Sequence, residues 1–189
     1  MKKIHLFLLI VTAITTLFSA YSLAAINQVY KINFEWYSSY NVKYVSDSRN
    51  TNRDRWFLEE YPKSTGFKVI GSSYQLNMLN SDSDIREIEL PDADFGKNVY
   101  LFCTLGEVNS PEYRVKIIDI AQRGNVVEVR VSINSPLNAK EITEHPEFLY
   151  FPQDVIKIDK MAFPIRGKLR FIFKAQDGNQ INQLNYDLR

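Results

Sequence analysis

The chain has 189 residues, 45% of them apolar and 24% charged, with only seven Gly and seven Pro. That composition excludes a disordered, collagen-like or coiled-coil chain and leaves about one domain with a real hydrophobic core. The formal charge is +1. With Lys2 and Lys3 assigned to a leader, the remainder carries one acid in excess, a balance with no footprint for nucleic acid and no polybasic membrane tract.

Residues 4–27 contain no Lys, Arg, Asp or Glu, and 6–11 are solidly aliphatic. Ser22-Leu23-Ala24 then places small residues where a signal peptidase reads, so cleavage is expected between Ala24 and Ala25. The alternative is an uncleaved N-terminal membrane anchor, because the stretch is long enough to span a bilayer. Leu23-Ala24-Ala25 also looks like the start of a lipoprotein box, but Ile26 stands where lipid attachment needs a thiol. No lipid anchor is expected, and the chain reads as exported.

From residue 30 to 36 the pattern alternates: Tyr30, Ile32, Phe34 and Trp36 against Lys31, Asn33 and Glu35. This predicts one half-buried strand with Phe34 and Trp36 facing inwards. Tyr37-Ser38-Ser39 offers a turn into a second alternation, Tyr40, Val42 and Tyr44, so the pair reads as a hairpin with Tyr37 and Tyr40 displayed near its turn. Residues 46–55 form a polar loop. A short strand is expected over 67–70, followed by a helix over 74–79 capped by Ser72 or Ser73.

Residues 99–105 form a continuous apolar run, the mark of a buried strand. Val115 and Ile117 begin an alternation over 113–121, Gln122-Arg123-Gly124-Asn125 supplies a turn, and Val127, Val129, Val131 and Ile133 continue on one side. Another strand over 149–158 contains Pro152, which suits an edge strand or a bulge. Residues 168–175 and 180–188 flank Asp177-Gly178, a strong hairpin signal. About eight or nine strands with one short helix predict a mainly β fold, an antiparallel β-sandwich or half-open barrel. The chain divides by this reading into a leader at 1–24, an N-terminal hairpin and polar loop at 25–66, a β domain at 67–160 and a C-terminal hairpin at 161–189.

Two residue types restrict the chemistry. Cys103 is the only cysteine and lies in the buried run, so it reads as a small hydrophobe, and no intramolecular disulfide is possible. Beyond the leader, His145 is the only histidine, in the polar loop Glu144-His145-Pro146. A zinc site lacks the ligands it needs, and a Ser-His-Asp triad would have to use His145, which lies outside any recognisable nucleophile motif and reads as a solvated loop histidine. Asp82-Ser83-Asp84 and Asp92-Ala93-Asp94 match no calcium loop and read as solvated turns. No cofactor, metal or catalytic set is expected.

The order of features from residue 67 onwards carries a resemblance. Phe67-Lys68-Val69-Ile70 precedes a short helix, and Leu90-Pro91-Asp92-Ala93-Asp94-Phe95 leads into the apolar strand and Gly106. A loop ending in Tyr113, a strand pair running to Ser135-Pro136, and Tyr150-Phe151-Pro152 entering Asp154-Val155-Ile156-Lys157-Ile158 complete the series. This order resembles the C-terminal domain of the protease complex subunit PrcB family, most closely over residues 94–158. The family's loop carries Thr-Gly-Gly-Tyr where this chain has Asn109-Ser110-Pro111-Glu112-Tyr113. Pro111 cannot adopt the backbone angles that two glycines allow, so the loop must take another shape.

The resemblance implies an exported, non-catalytic partner or stabiliser of other extracytoplasmic proteins, proteases included. The expected contact is the loop formed by Asn109, Ser110, Pro111, Glu112 and Tyr113, with Tyr37 and Tyr40 next in line. The plain alternative has Ser110-Pro111 shaping a connection while Tyr113 packs beneath it. Two other functions stay open. One is a carbohydrate-binding module using Trp36, Tyr37, Tyr40 and Tyr44 as a stacking platform. The other is a two-carboxylate hydrolase using Asp92 or Asp94 with a distant Glu.

Overall fold

A computed structural model of the chain describes residues 28–45, 66–81, 88–106, 108, 110–135 and 148–189, together with positions 12, 14 and 16; the side chains of 38–45, 148 and 149 are not described. The cleavage position at Ala24 and Ala25, the acids Asp82 and Asp84, and His145 lie outside the described residues, as does Asn109.

In chain order the elements are β1 (Val29–Lys31), β2 (Glu35–Val45), β3 (Gly66–Ile70), α1 (Ser73–Asn80), β4 (Asn98–Thr104), β5 (Arg114–Arg123) and β6 (Val126–Asn134). There follow β7 (Phe148–Asp159), a single 3₁₀ turn (Lys160–Ala162), β8 (Gly167–Lys174) and β9 (Gln180–Leu188). Sheet one has the order β1-β5-β6-β8-β9 and sheet two the order β2-β7-β4-β3. Every pairing is antiparallel except β6 with β8, which run parallel because the chain crosses to sheet two as β7 before returning. The fold is a mainly β sandwich of two open sheets, with no closed barrel among the described residues.

The alternation rule explains sheet one. Val115, Ile117 and Ile120 of β5 and Val127, Val129 and Val131 of β6 point into the main core, where they meet Leu169, Phe171 and Phe173 of β8. Their neighbours Lys116, Arg123, Arg130 and Arg170 face solvent. A bulge between Ile117 and Asp119 inserts Ile118, which resets the phase so that Ile120 is buried and Ile118 is left exposed. The β5–β6 hairpin closes on Gly124 and Asn125, with Gly124 at φ 57°, the left-handed angle that a two-residue turn of this kind needs at its first position.

Sheet two obeys a different pattern because both its faces are covered. Val99, Leu101 and Cys103 of β4 enter the main core, while Tyr100 and Phe102 enter a second cluster with Ile70, Leu79, Ile88, Leu90 and Val155. That is why β4 reads as a continuous apolar run. The second cluster is roofed by α1 and the segment 88–95. Ser72 caps α1 by accepting from the Gln75 N–H at 3.2 Å, and Leu79 is the helix's buried residue.

Three expectations are corrected. Residues 30–36 are not one strand: β1 ends at Lys31, Ile32 donates its N–H to the Ile120 carbonyl at 2.9 Å, and the chain crosses to sheet two. Tyr37-Ser38-Ser39 is not a turn either, but a β-bulge within the single strand β2, where Trp36 pairs with Ile156 and Ser38 with Val155. Finally, the strand holding Pro152 is not an edge strand, since β7 is flanked by β2 and β4. The Pro152 carbonyl accepts from Leu105 N–H at 3.2 Å and from the Thr104 hydroxyl at 3.1 Å. A residue's N and C=O point to the same side of a strand, so the missing N–H lies on the β4 side, just beyond the last paired residues of that ladder, Thr104 and Gln153.

The segments 25–66 and 161–189 both pair with strands of 67–160: β1 with β5 and β8 with β6 in sheet one, and β2 with β7 in sheet two.

Candidate functional site

The loop before β5 is held from within. Val108 is buried and exchanges both backbone hydrogen bonds with Tyr150 at 2.8 Å. Ser110 is buried, and its hydroxyl accepts from the Glu112 N–H at 3.2 Å. Tyr113 is 8% exposed and sits in the main core, where burial pushes its phenol pKa up. The Arg114 guanidinium donates to the Pro111 carbonyl and, at 3.3 Å, to that of Tyr113. Of the four described loop residues expected to meet a partner, Pro111 and Glu112 are exposed and Ser110 and Tyr113 are buried. This arrangement matches the plain alternative in which Tyr113 packs beneath the connection.

The aromatic strand divides between two faces. Tyr37 is half-buried on the outer face of sheet two, edge-on to Tyr100 at 5.4 Å, and its hydroxyl accepts from the Asp92 N–H at 3.3 Å. Phe95 meets Tyr100 edge-on at 5.5 Å, and burial above all raises the Tyr100 phenol. Tyr40 lies in β2, but its side chain is outside the description, as is that of Tyr44. Trp36 and Tyr37 therefore do not form one stacking platform: Trp36 meets Phe34, whereas Tyr37, the bulged residue, meets Tyr100.

Trp36 is the residue the alternation misplaces. It stands opposite Ile156, yet it is 56% exposed, on the strand that forms the edge of sheet two among the described residues. Its ring is fixed from two sides. Phe34 meets it edge-on with centroids 5.6 Å apart, and Lys116 of β5 places its Nζ 4.2 Å from the ring centroid. On the same edge strand Glu35 pairs with Lys157 at 2.6 Å, and this hydrogen bond raises the lysine pKa. Beneath this corner Asp154, fully buried on β7, reaches across to sheet one and accepts the Ile117 N–H at 2.8 Å. The corner thus presents an ordered, exposed indole beside a cation and along a strand edge that is unpaired among the described residues. Lys116 reads in the sequence only as an outward member of its strand; its approach to Trp36 depends on how the sheets are stacked.

Of the acids considered for hydrolysis, Asp94 has structural partners. Asp94 Oδ1 accepts from the N–H groups of Gly96 at 3.0 Å and Lys97 at 3.2 Å, holding the turn into β4. Asp92 is exposed. Among the described residues no group of three or more His, Cys, Asp or Glu is placed to hold a metal ion, and no helix is long and apolar enough to cross a membrane. Cys103 is fully buried, and burial followed by the nearby Asp154 charge lifts its thiol pKa well above the ordinary value.

No family model, curated protein or solved structure matches this chain.

Proposed function

We propose that the chain works outside the cytoplasm as a non-catalytic β domain that binds another protein, as an accessory or stabilising subunit of an extracytoplasmic protease complex would. The observation that carries this reading is the exposed Trp36, held by Phe34 and Lys116 on β2, the edge strand of sheet two among the described residues. Tryptophan is among the residues that dominate binding energy at protein interfaces, and a free strand edge can accept a partner's extended chain through main-chain hydrogen bonds. The apolar leader and the PrcB-like order of features support the compartment and the partner class. Pro111 and Glu112 extend the candidate contact at a second exposed position.

Crosslinking in the native envelope followed by mass spectrometry tests the reading. Specific proteins should be enriched above a control that carries the same leader. Enrichment of none would remove the proposal. The carbohydrate-binding alternative draws on the same indole, although Lys116 already occupies one approach to the ring. Titration with cell-wall fragments and polysaccharides should leave Trp36 fluorescence flat under the protein-binding reading and shift it under the other.

A further inference from the structure

Although the sequence is nearly balanced in charge, the fold sorts its charges. The outer face of sheet one displays three acids, and each is engaged by a cation: Asp119 by Lys31 at 3.5 Å, Glu128 by Lys174, and Asp187 by Arg189 at 2.8 Å. Arg123, Arg130, Lys168 and Arg170 face outwards with no ion pair among the described residues. Three of the four gather at one end. Arg123 and Arg170 flank Val126 in a single cross-strand row, so ordinary strand spacing sets their Cα atoms about 10 Å apart. Lys168 lies two residues along β8 from Arg170, roughly 6.6 Å at the strand's rise.

At this end the surface is concave. A recess of about 530 Å³ is lined by Asn125, Lys168, Arg170, Asn185, Tyr186 and Asp187. That volume lies within the range of small-molecule sites and far exceeds one inorganic ion. Its chemistry is a guanidinium, an ammonium and two carboxamides, with the single carboxylate already neutralised by Arg189. We infer that this recess binds the phosphate group of a small organic phosphate. Arg170 supplies the bidentate fork, Lys168 a point charge, and Asn125 and Asn185 amide donors for the remaining oxygens. A tetrahedral phosphate uses that many donors, whereas a carboxylate has only two oxygens to offer. Tyr186, the aromatic in the lining, packs edge-on against Phe171 at the core margin, and the apolar Val126 and Ile172 on the neighbouring rows are half-buried, so among the described residues the surface lacks an outward platform for stacking bases.

The test uses the full chain and three probes: inorganic phosphate, glycerol phosphate, and vesicles of phosphatidylglycerol compared with phosphatidylcholine. Glycerol phosphate should bind saturably, at least tenfold more tightly than inorganic phosphate. Arg170→Gln and Lys168→Gln should each weaken it about tenfold, Arg170→Lys should weaken it less, and Lys116→Gln, remote on β5, should leave it unchanged. Binding to phosphatidylglycerol vesicles without binding of glycerol phosphate, lost in the same two variants, would support the recess and assign its phosphate to a lipid headgroup. The inference is overturned if none of the probes binds. It is equally overturned if the Lys168→Gln/Arg170→Gln double variant, with its melting temperature unchanged, binds as the parent does. Neither result bears on Trp36 and its protein partner.

Discussion

Gly71→Ala should destabilise the protein even though Gly→Ala at a compatible position ordinarily stabilises by about 0.4 to 1 kcal/mol through the unfolded chain. Gly71 is not among the glycines with positive φ, so alanine fits its backbone. The obstacle is space. A Cβ on Gly71 would fall onto the Tyr186 hydroxyl and lie 2.9 Å from its Cζ, with Gln75 Oε1 at 3.7 Å. Tyr186 belongs to β9 and packs edge-on against Phe171 with centroids 6.3 Å apart, so it cannot give way without leaving the core margin. Overpacking of this kind costs about 1 to 3 kcal/mol, which outweighs the entropic gain and leaves a net loss of roughly 1 to 2 kcal/mol. In a chain of this size that is about 3 to 6 °C in melting temperature. Urea denaturation of the single and double variants provides the assay. In a Tyr186→Ala background, Gly71→Ala should become neutral or mildly stabilising. If Gly71→Ala stabilises the otherwise unaltered protein, β9 does not close onto the end of β3 as described.

Three further outcomes follow from named contacts. Ser72→Ala removes the cap on the Gln75 N–H and should cost about 1 kcal/mol in urea denaturation. Asp154→Ala leaves the buried Ile117 N–H without its carboxylate and should cost about 1 to 3 kcal/mol, with Asp154→Asn losing less because its amide oxygen can still accept. The folded Cys103 thiol has a pKa above its unfolded value, so the unfolded chain loses that proton first as pH rises. The stabilisation is complete below the ordinary thiol value of 9.0 and is lost above it. Stability should therefore fall on the alkaline side, less steeply in Cys103→Ala, and Cys103 should react with a thiol reagent only after unfolding.

Local patterns carried most of the fold into view. The β5–β6 hairpin follows from the valine alternation and Gly124, β8–β9 from Asp177-Gly178, and α1 from a serine cap ahead of Leu76 and Leu79. What stayed hidden depends on contacts distant in sequence. A bulge and a turn share the same residues, so Tyr37-Ser38-Ser39 looked like the end of a strand rather than a step within β2. Pro152 lies inside a central strand, at the point where the β4 ladder ends. The parallel β6–β8 pair joins strands separated by the whole of β7. At the candidate site the alternation holds for Ile32, which is buried, and fails for Trp36, which is exposed on the edge strand of sheet two among the described residues. The basic corner around Arg170 draws its cations from β5 and β8, which are far apart in sequence, so a net charge near zero concealed it.

The central claim is that the Trp36 corner meets another protein. The most direct measurement puts a photoreactive amino acid at position 36, and separately at Arg130 on the outer face of sheet one, and irradiates intact cells. The account predicts a discrete protein adduct from position 36 that is absent from position 130, and its loss when Lys116→Glu reverses the charge beside the ring. Equal labelling at the two positions, or no protein adduct from position 36 in a folded and correctly localised chain, would contradict it.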